Sequence, residues 1–250
     1  MHPALVISLL LLCTFALIIL FVSIAIKQSG QARLLEPASK QAHPGAHQLA
    51  DLHRPWATHF RFEWIGGYQF RGLDRRFIAA WRHAEQPVFL LVEQVKGATH
   101  YELLSAFNRE QILSTTSMNA LVPPTPPKVF LQRFPDKPLT ELFRQHVAAH
   151  DFLLANGHAQ LAPHPIRVDR VVIDLLARTH ATVTALPFWP LRTLGWTLIG
   201  PHKAANRSVP EQLAFAAVIG ATAAAAPAND DAAAAGADED EEVEADAEAS

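Results

Sequence analysis

The chain has 250 residues, half of them hydrophobic, and a formal net charge of −3. Its one cysteine, Cys13, lies inside an apolar stretch, which excludes a disulfide framework or a thiolate metal site from the rest of the chain. The net charge hides a split: residues 227–250 hold ten of the 24 acidic residues and no Lys or Arg, leaving 21 basic and 14 acidic residues, a balance of +7, elsewhere.

Residues 4–26 contain no charged side chain and are almost entirely Leu, Ile, Val, Phe and Ala. As a helix rising about 1.5 Å per residue, such a run is long enough for a hydrocarbon core of roughly 30 Å. A secretory signal peptide fits less well. The residues ahead of the run are Met1, His2 and Pro3, without Lys or Arg, and the run is too long. The only small-residue cleavage site, Gly30-Gln31-Ala32, is separated from it by Lys27. Residues 1–27 are therefore expected to be an uncleaved, single-pass transmembrane anchor, with the lipid bilayer as the partner of residues 4–26. Lys27, Arg33 and Lys40 follow it, opposed only by Glu36, which predicts that the remaining chain faces the cytoplasm.

Residues 28–58 read as a juxtamembrane linker, with Pro37, Pro44, Gly45 and Pro55 among polar residues and one short helix around residues 48–53. An antiparallel sheet of five to six strands is expected next. Residues 59–70 are aromatic-rich, with Gly66-Gly67 as a turn or bulge. Residues 76–82 alternate, placing Phe77, Ala79 and Trp81 on one face. Residues 88–95 are nearly continuously apolar, and 99–107 and 111–117 follow after short turns. Strands joined by such short loops pair antiparallel. The proline run at 123–127 reads as a stiff connector before a further strand at 128–134.

Helices complete the domain. Residues 139–155 carry an apolar stripe through Leu142, Phe143, Val147, Leu153 and Leu154 and stop at Asn156-Gly157. Residues 166–186 form a second amphipathic helix, broken at Pro187. Ser208-Val209-Pro210-Glu211 is a capping box that opens a third, running to about residue 226. Strands followed by two to three packing helices predict an α+β domain over 59–226. Residues 227–250 form an acidic tail too poor in apolar surface to offset its ordering entropy, and are expected to be disordered.

Motifs of known chemistry are missing: there is no phosphate-cradling glycine loop, no Gly-x-Ser-x-Gly elbow, no His-Glu-x-x-His helix and no acidic calcium loop. No cofactor is expected. The one metal-ligand spacing is His146 and His150, a helical turn apart, with Asp151 adjoining and His158 and His164 following. A metal-dependent hydrolase using that pair is the enzymatic alternative. Against it, the pair shares a helix side with Leu142 and Val147, where histidines pack and hydrogen-bond. Asp169 and Asp174 are spaced poorly for one helix face and read as solvent-facing.

Arg71, Arg75, Arg76 and Arg82 crowd the first hairpins and form the candidate anionic contact patch. Without interleaved aromatics they do not favour nucleic acid. Residues 186–200 are apolar but broken by Pro187, Pro190 and Gly195. There Trp189, Arg192 and Trp196 are candidate membrane-interface residues, which makes peripheral lipid binding a further alternative. The leading expectation is a non-enzymatic interaction or accessory module at a membrane surface, with a protein partner.

Overall fold

Seven strands form one sheet in strict chain order: β1 (Leu35–Pro37), β2 (Phe62–Phe70), β3 (Phe77–His83), β4 (Val88–Val95), β5 (Ala98–Ala106), β6 (Ile112–Thr116) and β7 (Val129–Arg133). The computed structural model describes residues 3–31, 35–37, 44–70, 77–95, 97–118, 125–162, 166–192, 207–214 and 217. The chain divides into a unit Met1–Gln212 and a unit Leu213–Ser250, and the fold below is that of the first. The tail at 227–250 and most of the predicted third helix lie outside the described residues.

Five of the six strand pairings are antiparallel, as the short connections require. The sixth is parallel: β7 returns beside β6 with Ile112 opposite Val129 and Thr116 opposite Arg133. An all-antiparallel sheet is thus corrected at its last strand. The twelve residues between β6 and β7, 117–128, are enough to carry the chain back along the strand. The count also exceeds the predicted five to six. The addition is β1, a three-residue edge strand ending in Pro37, too short to show alternation.

In β2 the register shifts between Trp64 and Gly66, so Ile65 is an extra residue. The bulge reverses the side-chain phase: Trp64 shares a face with Trp81, whereas Tyr68 shares the opposite face with Ile78. Gly66 sits at φ 146°, a conformation that glycine adopts without a Cβ penalty.

Helices cover both faces. On one, α2 (Pro44–His59) and α3 (Leu139–Ala155) place Leu49, Ala50, Ala57, Leu139 and Leu142 against Phe62, Ala79, Trp81, Leu90, Val92 and Leu103. The Trp56 indole donates to Thr140 Oγ1 at 3.0 Å and links the two helices. On the other face, α4 (Val168–Thr184) sets Val168, Val171 and Val172 on Ile78, Ala80, Phe89, Leu91, Leu104, Ala106, Ile112 and Val129. A strand buried on both faces needs no polar side, which explains the unbroken run at Val88–Val92. It also corrects the one-sided reading of β3, since Ile78 and Ala80 are as buried as Ala79 and Trp81.

The segment read as a linker holds β1 and all of α2 but its last residue; the short helix expected at 48–53 is part of this longer one, with Pro55 inside it. At the N-terminal side, α1 (Pro3–Gln31) is helical for 29 residues. The side chains described in it are those at 5–10, 13–18, 20–21 and 23–24. Among the described residues, no helix is long and apolar enough to cross a membrane, so the expected span is not supported there.

Candidate functional site

The sheet face under α4 carries the candidate site. Paired residues share a face, so Glu93 on β4 lies with His100 on β5, Leu91 with Glu102, Glu102 with Thr116, and Thr116 with Arg133 on β7. These side chains form a polar stripe across four strands. Around it Ile78, Leu91, Leu104, Val129, Leu131, Val172, Leu175 and Leu176 supply an apolar wall, and Thr179 adds a hydroxyl from α4. The cavity has a volume of ≈ 220 Å³.

Glu102 is the central group. Ser114 Oγ donates to its Oε1 at 2.7 Å. The side chain is half-buried and lines the cavity between sheet and helix. Burial pushes its pKa up from 4.5 to about 7; the Ser114 hydrogen bond opposes this, the Glu93 charge adds to it, and Arg133 lowers it. Burial likewise lowers the pKa of Arg133, with Glu102 acting in the other direction. A carboxyl that titrates near neutrality in an apolar cavity can hold a proton or accept a donor from a ligand.

The predicted histidine pair lies on the opposite face, beneath α3. His146 is completely buried. Its Nε2 is 2.8 Å from Ser105 Oγ and its Nδ1 2.8 Å from Thr115 Oγ1. Gln132 Nε2 donates to Thr115 Oγ1 at 2.8 Å and to the Gln145 carbonyl at 3.0 Å, while Gln132 Oε1 accepts from the Val209 amide at 3.1 Å. Since Thr115 Oγ1 already accepts from Gln132, the assignment that satisfies the ring has Thr115 donating to Nδ1 and Nε2–H donating to Ser105. Burial, reinforced by His150, lowers the His146 pKa from 6.5 to about 3, so the ring stays neutral near pH 7.

His150 stacks on Phe107 and sits 3.2 Å from Asp151 through Nδ1. Any metal at His146 would have to displace Ser105 or Thr115 from a ring with both nitrogens engaged. Among the described residues no group of three or more His, Cys, Asp and Glu side chains could hold a metal ion. His158 stacks on Phe152, and His164 lies outside the described residues.

Of the arginine patch, Arg82 is exposed on β3, and Arg71, Arg75 and Arg76 lie outside the described residues. Asp169 and Asp174 are bound by Arg167 and Arg178 on their own stretch of chain rather than standing free. Beyond α4, Arg192 is exposed and Trp189 half-buried, and Trp196 is outside the described residues. Phe188, at φ 54°, is 78% exposed.

Sequence reading missed Glu102 and Arg133. The available signal was their phase: Glu102 alternates with Leu104 and Ala106, and Arg133 with Val129 and Leu131, so each is an ionisable residue on an inward-facing row. That signal needs knowledge that this face is covered. The chain matches no family model, no curated protein and no solved structure.

Proposed function

We propose that this chain is a membrane-tethered, non-enzymatic binding module, with α1 as the tether and the cavity under α4 as its ligand site. The observation that carries the binding reading is the polar stripe of Glu93, His100, Glu102, Ser114, Thr116 and Arg133 set in a cavity whose remaining wall is mostly apolar. A few placed polar groups within an apolar wall are the composition of small-molecule sites. The tether is supported by the charge-free run at 4–26 and by the described side chains of α1. Leu5, Ile7, Leu10, Leu17 and Phe21 are all more than half exposed, an arrangement that costs free energy in water and not in lipid. The basic residues Lys27, Arg33 and Lys40 support a cytoplasmic domain.

Two measurements test these parts separately. Alkaline carbonate treatment of membranes should leave the full chain in the pellet and release a variant lacking residues 4–26; release of the full chain overturns the tether. For the ligand site, 3-phenylpropanol, 3-phenylpropylamine and 3-phenylpropanoate are titrated calorimetrically into the full chain in zwitterionic nanodiscs, with empty nanodiscs subtracted. At least one should give saturable heat that Leu176→Trp, at the partly exposed rim of the cavity, removes. No saturable heat from any of the three overturns the ligand site.

A second membrane contact is favoured by one specific observation, the exposed Phe188 and Leu191 beside exposed Arg192. In this reading Phe188→Ser weakens liposome flotation of the variant lacking residues 4–26, and unchanged flotation overturns it.

A further inference from the structure

We propose that α4 and the turn after it lie on the headgroup layer of an anionic bilayer, with the exposed rim of the cavity at Leu176 turned toward lipid. The inference deepens the membrane reading and rests on α1 as the tether.

Position is the first argument. α1 packs against α4. Two packed helices lie roughly 8–10 Å apart, axis to axis. A helix held that close to the tether stays within reach of the membrane surface. Among the described residues that line the cavity, only Leu176 is exposed, and it belongs to α4. The rim of the cavity is therefore on the helix that the tether touches.

Apolar surface is the second. Just past α4, Phe188 takes a left-handed backbone conformation, φ 54°, that a residue with a Cβ adopts only at a cost. Its ring is 78% exposed, and Leu191 is exposed one turn later. Arg192 follows directly, also exposed. Large apolar groups beside a cation are the composition of an interfacial segment, in which the ring reaches the acyl boundary while the guanidinium stays with phosphate.

Charge is the third. Residues 166–192 hold four arginines, Arg167, Arg170, Arg178 and Arg192, against two aspartates. Arg167 binds Asp169 and Arg178 binds Asp174. Arg170 and Arg192 are both exposed and have no acidic partner among the described residues. Arg170 sits in the first turn of α4, where a cation opposes the helix dipole, so helix stability does not account for it. Two unpaired guanidinium groups at the ends of one segment suit anionic headgroups, whose attraction acts within a Debye length of about 8 Å at physiological salt.

Nitroxide accessibility in the full chain tests this placement. Cys13 is the one cysteine, so Cys13→Ala gives a background for Leu176→Cys, Phe188→Cys and Gln94→Cys. Gln94 is exposed on β4, in phase with Val92 on the face under α2 and α3, and serves as the water-facing control. A circular dichroism spectrum matching the parent shows that each labelled variant folds. The labelled chains are placed in nanodiscs of phosphatidylcholine, alone or mixed with phosphatidylglycerol, and relaxation by oxygen is compared with relaxation by a water-soluble nickel chelate. Oxygen should exceed the chelate at least threefold at positions 176 and 188, and the chelate should exceed oxygen at 94. Phosphatidylglycerol should raise the oxygen preference at 188 at least twofold, and Arg170→Gln with Arg192→Gln should abolish that rise.

Chelate preference at 176 and 188 overturns the placement. Protection from both reagents also overturns it and assigns the face to α1 or to a second copy. Equal ratios in the two kinds of disc, or a rise that survives the double substitution, overturn the role of the anionic headgroups. Carbonate treatment separates these results from failure of the tether. A chain that stays in the pellet but shows chelate preference keeps the tether and loses the docked helix, whereas a released chain loses both.

Discussion

Replacing Glu102 with Gln should stabilise the folded protein at neutral and alkaline pH and leave it nearly unchanged near pH 4.5. Glu102 has a folded-state pKa of about 7 against an ordinary 4.5. Between these values the folded state holds a proton that the unfolded state has released, so stability falls as pH rises. The loss totals about 3 kcal/mol at about 1.36 kcal/mol per unit. His146 acts with the opposite sign. Its folded pKa is about 3 against 6.5, so below 6.5 the unfolded state binds the extra proton and stability rises with pH.

From about pH 4.5 to 6.5 the two slopes oppose each other in the wild type. Glu102→Gln removes one and exposes the other, giving a rise of roughly 1.4 kcal/mol per pH unit across that window. The advantage of the variant should grow from near zero at pH 4.5 to about 3 kcal/mol at pH 7 and stay level above it. The new amide can still accept from Ser114, so this hydrogen bond survives. His83, whose pKa burial also lowers, and Glu141 and Glu211, held down by their hydrogen bonds, contribute equally to both proteins and cancel in the difference. Urea midpoints at pH 5, 6, 7 and 8, followed by the fluorescence of buried Trp81, provide the test. A difference between variant and wild type that does not change with pH would refute the placement of Glu102 in a desolvated cavity.

Two further substitutions probe the fold. Thr115→Val keeps the shape but removes the hydroxyl that serves both His146 and Gln132. It should cost about 2–5 kcal/mol in urea-unfolding free energy, because a buried ring nitrogen loses its partner and Gln132 loses one of two acceptors. A change under 1 kcal/mol would show that the network is not satisfied as assigned. At the bulge in β2, Gly66→Ala introduces a Cβ 3.6 Å from the Tyr68 ring, which the space permits, at a φ of +146° that alanine resists. A loss of about 1–3 kcal/mol is expected in the same assay, and a gain would mean the backbone there is not held at positive φ.

Much of the secondary structure was legible. The helix read at 139–155 coincides with α3, because a 3.6-residue stripe and an Asn156-Gly157 stop are local signals. Gly157 does take the left-handed φ of 69° that such a stop requires. The run at 88–95 coincides with β4 for a similar reason. The capping box at Ser208 forms as expected: its amide donates to Glu211 Oε2 at 2.7 Å, with a longer return contact of 3.5 Å. Less legible was α2, since Pro55 and the surrounding polar residues resemble a connector. Its helical state draws on long-range packing of Leu49, Ala50 and Ala57 against the sheet, a contribution no local window contains.

Composition and periodicity alone determined the order of strands and helices from β2 to α4, the charge-free stretch at 4–26 and the concentration of acid at 227–250, because each depends only on neighbours in the chain. Tertiary structure decided the rest. It laid β7 parallel to β6, put α4 on the face opposite α2 and α3, engaged both nitrogens of His146 within one core, and enclosed Glu102 beside Arg133 in the other. Glu102 and Arg133 are 31 positions apart in sequence. Only the pairing of three strands and the cover of a distant helix bring them to the wall of one cavity, and the burial that raises the Glu102 pKa there makes an ordinary carboxylate a candidate binding group.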